Sequence, residues 1–413
     1  MITAWTTLPI GVRYAVLALV GLVVGAIANH VIYRCAWYSR PIGPWGKPHP
    51  DASVGSWRDR VPVLGWWAMR RDHGVHGSGF WIRPLLIELA MAAGIPWLYW
   101  AETQTQMYVP AAGVVAPFWL HFVFASHVLL VALMVPATFI DFDEQTIPDA
   151  ITIPGTLAGL VLATFSLYFF APAVNAAGGI QPITFNLPAP LDLKKWMGPA
   201  GLRIAILVWT GWCFALLNRR VILRRGLAKA VEYFVASLFR YPTWKLVAAM
   251  WVVGFFAIFG VHSLGGNHWV GLLTSLIGLG VGGGVVWTIR IVGSLAMGRE
   301  ALGFGDVTLM AMIGAFVGWQ AAVMSFFLAP IAAIAIVLVY YLITRNSEIP
   351  FGPYLCAGTM LTLFGWKKLV AGWFLSNLAI LGPFMLWLFL ALAAIMGVML
   401  YFWRIFKEAY LYE

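Results

Sequence analysis

The sequence predicts an all-α protein, a polytopic transmembrane helical bundle of about 9–11 spans. Three observations predict it. Hydrophobic residues fill 62% of the 413 positions and charged residues only 10%, whereas soluble domains carry about 25% charged residues. Apolar runs close to the ~20 residues that cross a bilayer recur along the whole chain. Lys and Arg gather in alternate connecting segments instead of spreading evenly, which is the pattern of a chain that threads a membrane repeatedly.

The first apolar stretch, residues 14–33, runs directly into the basic segment that starts at Arg34, with no small-residue cleavage pattern between them. It is expected to stay as a helix instead of being removed as a secretion signal. Further spans are expected at 84–100, 117–140, 151–172, 201–217, 246–263, 271–292, 321–344 and 378–403, with shorter, partial spans at 307–319 and 354–366. Pro84, Pro117, Pro154 and Pro353 fall near segment starts, where a missing backbone donor costs least. Gly278, Gly280, Gly282, Gly283 and Gly284 crowd one helix, and small residues there let a neighbouring backbone approach closely.

Charge sets the expected orientation. With alternating spans, 20 of the 26 Lys and Arg residues fall on one side, in segments 34–83, 218–245, 290–306, 345–353 and 404–413. The other six are Arg13, Lys194, Lys195, Arg203, Lys367 and Lys368. The rich side is the expected cytoplasmic side, and the net charge of +10 is explained by topology and anionic lipid. The chain contains no nucleic-acid motif. Cys35, Cys213 and Cys356 are isolated in sequence and have neither disulfide nor metal spacing.

The same alternation puts two aspartates on the cytoplasmic side: Asp141 in FIDFDEQTIPD, where one helix arrives, and Asp306 in GFGDVTLM, where another departs. A carboxylate at a membrane margin is costly and calls for a function. Although 165 positions apart, the two can meet. Two carboxyl groups a few ångströms apart cannot both ionise cheaply, so one keeps a proton and the pair can serve as base and acid on water. That is aspartic-protease chemistry. Gly303 and Gly305 allow tight backbone approach just ahead of Asp306. A single acid near a helix end is ordinarily a cap or a solvated loop residue, and Asp143, Glu144 and Asp149 taken alone read so.

The pair of motifs resembles the two active-site motifs of the type IV prepilin peptidases, membrane aspartic proteases of the GxGD type. EIPFGPYLCAG, from Glu348 to Gly358, is similar to a segment that follows the family's second motif, and AIANHVIYR, RVPVLGWWAMR and RPLLIELAMA resemble its N-terminal region. The resemblance covers most of the first 160 residues and residues 271–366. It implies that Asp141 and Asp306 form the catalytic dyad, with Gly303, Gly305, Asp143, Pro148, Asp149, Pro350, Gly352 and Pro353 supporting the active site or substrate. It further implies cleavage of the leader of type IV prepilin or pseudopilin substrates, without a cofactor, at the cytoplasmic face of the bacterial inner membrane. Asn29, Arg34 and Glu88 match the region associated with methyl transfer from S-adenosylmethionine; an Arg34 anchoring the inside and a Glu88 packing between helices is the competing reading.

Three departures from the family pattern matter. The loop 34–83 holds only Cys35, where family members commonly carry two CxxC pairs, so a four-cysteine zinc site is excluded. His49, His73 and His76 remain there, and HGVH has metal-compatible spacing, but a solvated loop is the preferred reading and no metal is expected. Thr308 stands where the family often has Lys. The chain is also longer, and the expected division is 1–100 (N-terminal membrane region with the basic loop), 101–172 (first catalytic half), 173–270 (inserted spans), 271–366 (second catalytic half) and 367–413 (an added C-terminal span and tail). Within the insertion, residues 219–240 read as an interfacial amphipathic helix that rests on lipid or docks a pilus assembly platform.

Rival readings predict other features. A presenilin-like protease would carry YD in its first motif and PAL later, where this chain has ID and IPFGP. A carboxylate-based transporter predicts two related halves, and no such repeat is present. A platform component that has lost catalysis fits the cysteine-poor loop.

Overall fold

The computed structural model describes residues 2–410 except 39, 41, 46–48, 54, 110–112, 176–177, 188–193, 218–231, 233–234, 238 and 345–349. The principal helices are α1 (Ile10–Cys35), α2 (Ile82–Tyr99), α3 (Pro117–Glu144), α4 (Asp149–Phe165), α5 (Pro199–Leu216), α6 (Thr243–Leu264), α7 (Gly266–Met297), α8 (Phe304–Thr344), α9 (Gly352–Phe364) and α10 (Phe384–Tyr410). Among the described residues eight helices are long and apolar enough to cross a membrane, as a helical bundle requires. Beyond these, α4 and α9 are shorter, with 17 and 13 residues, and α8 holds the stretches expected at 307–319 and 321–344 as two arms on either side of Gly318.

Gly318 explains α8. Its φ of 79° and ψ of 165° interrupt the helix, in a conformation that only glycine takes without strain. A Cβ on Gly282 of α7 would meet Met310 O at 2.5 Å and Ala322 Cβ at 3.4 Å. Residues on both sides of Gly318 therefore pack on the same spot, so the chain doubles back there. The first arm, 304–317, is buried from Asp306 onward and forms the centre of the bundle. It lies against the glycine face of α7: a Cβ on Gly278 would land on the carbonyl of Gly314, and one on Gly314 would land on that of Gly278. Gly284, by contrast, faces open space. The helices at the periphery, α6 and α10, bury little of their surface within the chain.

At the end of the bundle far from Asp141 and Asp306, the chain does something the hydropathy pattern concealed. The span expected at 151–172 stops at Phe165, where Ser166 becomes extended and its hydroxyl accepts from Tyr168 N. A small antiparallel hairpin follows, Pro172–Val174 paired with Ile180–Pro182. Phe170, Ala173, Ile183 and Phe185 are buried. The segment's carbonyls are taken by indoles and an amide from the helices: Trp119 Nε1 donates to Phe170 O at 2.8 Å, Trp366 Nε1 to Pro172 O at 2.9 Å and Trp319 Nε1 to Phe185 O at 2.8 Å. Gln320 Nε2 donates to both Thr184 O and Leu187 O at 2.7 Å. A non-helical segment buried at the bundle end needs such donors, because an unpaired carbonyl there is costly.

Pro154 also departs from expectation, lying inside α4 instead of at its start. The amphipathic helix expected at 219–240 falls largely outside the described residues.

Candidate active site

Helix α3 runs one turn further than expected, so Asp141 lies within its last turn. Gln145, with φ of 54° and ψ of 34°, ends the helix and donates its N–H to Asp141 O at 2.8 Å. Residues 145–148 turn sharply and Pro148 leads into α4 at Asp149. Across from this turn, Asp306 is the third residue of α8. Asp141 and Asp306 are 3% and 7% exposed, and both line a single cleft of about 980 Å³.

Two glycines, Gly305 and Gly352, let the surrounding backbones close on the pair. A Cβ on Gly352 would sit 2.5 Å from Asp141 Oδ2 and 2.8 Å from Ile147 Cδ1. One on Gly305 would sit 2.9 Å from Ile147 Cβ, and one on Gly303 would sit 3.5 Å from Asp306 Oδ2. With no side chain in the way, Gly352 N donates to Asp141 Oδ2 at 3.0 Å. Asp141 thus receives a backbone donor that fixes its carboxyl group. Arg290 of α7 holds the approach to Asp306: its Nε donates to Leu302 O at 2.9 Å, it pairs with Glu300, and its guanidinium lies 5.8 Å from the centre of the Phe304 ring. Thr308 Oγ1 donates to Gly305 O at 3.0 Å.

Of the residues expected to support the site, Gly303, Gly305, Pro148, Asp149 and Pro350 line the cleft, Gly352 touches Asp141, and Pro353 is buried at the start of α9. Asp143 is not in the cleft. Two residues along a helix is a rotation of about 200°, so Asp143 faces away and forms a two-pronged pair with Arg83 at 2.7 and 2.9 Å. Glu144 accepts from Trp37 N at 2.6 Å and Tyr38 N at 3.1 Å. The three acids of FIDFDE therefore do three different things. Cleft residues that the motifs did not single out include Cys35, Trp37, Ile147, Arg299, Phe304 and Phe351. For Ile147 and Phe351 the only signal was adjacency to a motif; for Trp37 there was none.

Asn29 and Glu88 meet, but Arg34 does not join them. Arg34 is exposed, while Asn29 and Glu88 are each 1% exposed between α1 and α2. Glu88 Oε1 accepts from Trp66 Nε1 at 2.8 Å and Asn29 Nδ2 at 3.2 Å, and its Oε2 accepts from Val63 N. Asn29 Nδ2 also donates to Pro84 O at 2.9 Å. Glu88 therefore fastens the loop before α2 to the membrane helices. That loop is tied further by Arg71 Nη2 to Asp59 Oδ2 at 2.7 Å and by Ser53 Oγ to Asp72 Oδ1 at 2.6 Å. Among the described residues no group of three or more His, Cys, Asp or Glu could hold a metal ion; His49 and His76 meet edge to face at 6.1 Å.

Residues 240–339 match the type IV leader peptidase family. That stretch of the chain, which contains Asp306, is of this family. A prepilin leader peptidase/N-methyltransferase of Pseudomonas putida is 36% identical over 119 residues, covering 28% of this chain and 39% of the relative. One of Aeromonas hydrophila is 34% identical over 118 residues, with the same shares. One of Myxococcus xanthus is 26% identical over 233 residues, covering 55% of this chain and 56% of the relative. The chain thus spans about two fifths of the length of the first two. No solved structure matches it.

Proposed function

We propose that this chain is a membrane aspartic endopeptidase that removes the basic leader of type IV prepilin-like substrates at the cytoplasmic face of the bacterial inner membrane. One observation carries the reading. Two buried carboxyl groups from motifs 165 positions apart meet in one cleft, that of Asp141 held by the backbone N–H of Gly352. The similarity of residues 240–339 to leader peptidases and the basic excess at the dyad end of the helices support it.

Such a pair carries one proton between its two members. The ionised carboxylate draws a proton from a water molecule as it attacks the scissile carbonyl, and the protonated partner gives its proton to the leaving amine. A substrate with a cytoplasmic leader and an apolar helix in the bilayer brings its scissile bond to the membrane margin, where both aspartates lie. Gly303 and Gly305 line the cleft without side chains, which leaves room for an extended peptide.

The relatives are also named for N-methyl transfer. The polar atoms of Glu88 and the amide nitrogen of Asn29 are occupied by Val63, Trp66 and Pro84, and Arg34 stands apart, so these three residues do not fit S-adenosylmethionine as a group. Peptide cleavage by the dyad needs no cofactor. The reading is tested by incubating membranes containing the chain with a prepilin-like substrate, beside Asp141→Asn and Asp306→Asn variants at equal levels. Leader removal by wild type alone is expected; removal by all three would leave a platform component or another protease as the better account.

A further inference from the structure

Trp37 and Tyr38 follow α1 immediately and are 85% and 74% exposed. Exposed aromatic residues on a loop bury nothing on folding, so nothing in the fold itself requires them to be held in place. Yet Glu144 commits both carboxylate oxygens to them, across more than 100 positions, by accepting from Trp37 N at 2.6 Å and Tyr38 N at 3.1 Å. Glu144 closes α3 only three residues after Asp141, so this clamp fixes the post-α1 strand relative to the dyad. Trp37 lines the same cleft as Asp141, Asp149 and Asp306. An aromatic face held at the mouth of an acidic cleft, with most of its surface free, is arranged to receive a cation.

We propose that Trp37, set in place by Glu144, docks a positively charged side chain of the substrate's leader through a cation–π contact. This rests on the leader-peptidase reading and adds to it the residue that recognises the leader's charge. The ring supplies the negative face, the ionised carboxylates of the cleft attract the same charge at longer range against the opposing charge of Arg299, and the leader's Lys or Arg covers the indole as the scissile bond enters. Trp37 contacts the substrate; Glu144 is a positioning residue that acts only through Trp37 and Tyr38.

The test is a double-mutant cycle between Trp37 and the leader charge, using the full chain in membranes of fixed lipid composition. Two membrane-anchored substrates are compared, one with Lys and one with Gln at the leader's basic positions. Trp37→Ala is expected to raise KM roughly 3- to 30-fold for the Lys substrate and less than about twofold for the Gln substrate, with Trp37→Phe between. Glu144→Ala is expected to erode the same preference for Lys, and Glu144→Gln, which keeps one acceptor, to restore part of it. Equal losses on both substrates, or no loss on either, would overturn the proposal, the second result leaving Trp37 as a lipid headgroup contact. A parallel measurement separates this proposal from the protease reading: anisotropy of labelled Lys and Gln leader peptides on Asp306→Asn protein. Charge-dependent binding that disappears in a Trp37→Ala, Asp306→Asn protein supports the docking residue even where wild type cleaves neither substrate. Cleavage by wild type combined with charge-independent binding refutes it and leaves the dyad standing.

Discussion

Replacing Gly352 with Ala tests how finely Asp141 is placed. The added Cβ would lie 2.5 Å from Asp141 Oδ2, 2.8 Å from Ile147 Cδ1 and 3.2 Å from Asp141 Cγ. Ordinary contact begins near 3.4 Å, so the carboxyl group or the start of α9 must shift by about 0.9 Å. The Ile147 side chain blocks the other direction, and the 3.0 Å bond from Gly352 N to Asp141 Oδ2 is lost in any such shift. A misplacement of about 1 Å in a catalytic group costs about 100-fold in rate, whereas the overpacking itself costs about 1–3 kcal/mol of stability. The assay is leader removal from a membrane-anchored substrate, normalised to folded protein by a thermal melt in detergent. Gly284→Ala is the control, because no atom lies within 4 Å of its Cβ position. Gly352→Ala protein that is folded and cleaves at the wild-type rate would refute the claim that this N–H and this close approach position Asp141.

Other outcomes follow from the packing and the loop. Gly314→Ala would place a methyl group on the carbonyl of Gly278 and is expected to lower the melting temperature in detergent, at a cost of about 1–3 kcal/mol; an unchanged melt would contradict the close α7–α8 contact. Glu88→Ala leaves Val63 N and Trp66 Nε1 without their acceptor, a loss of about 1–3 kcal/mol per buried donor, so limited proteolysis within residues 36–81 should rise at least tenfold, and unaltered cleavage would remove Glu88 as the fastening. The same loop should respond to pH. Burial pushes His76 below its ordinary 6.5, more than neighbouring Asp72 raises it. The folded loop then binds fewer protons than the unfolded one, and stability falls as pH drops through about 6.5. Burial opposes the charge of Asp72, but hydrogen bonds from Ser53 and the Arg71 guanidinium outweigh it and hold the carboxyl below 3.8. That contribution is complete above the unfolded value and is lost below about pH 3.8. Proteolysis of the loop measured from pH 8 to pH 3 should therefore rise in two stages, and a flat profile would contradict both.

Hydropathy revealed most of the helices because crossing a bilayer imposes a length and a composition on each segment. The two aspartates could be read because a carboxylate beside an apolar run is conspicuous, and the glycines around them because tight backbone approach demands the absence of a side chain. What could not be read was long-range. Nothing local in residues 166–187 announces that Trp119, Trp319, Trp366 and Gln320 will supply donors to their carbonyls, and without those donors the stretch resembles the end of a span. Asp143 looked like part of the site by proximity, yet helical rotation turns it to Arg83. Glu88 matched a motif, while its work in the structure depends on Val63 and Trp66, which come from a loop whose path the sequence does not state. Trp37 carries no signal of its own; only the clamp from Glu144 places it at the cleft.

The most direct test of the central claim is to compare Asp141→Asn, Asp306→Asn and the double variant for leader removal at equal folded amounts. If the two carboxyl groups act as one unit, each single change should lower kcat by at least about 1,000-fold and the double change should cost no more than either alone. A single variant that keeps a near wild-type rate, or losses that multiply in the double variant, would show that the two aspartates do not share one catalytic task.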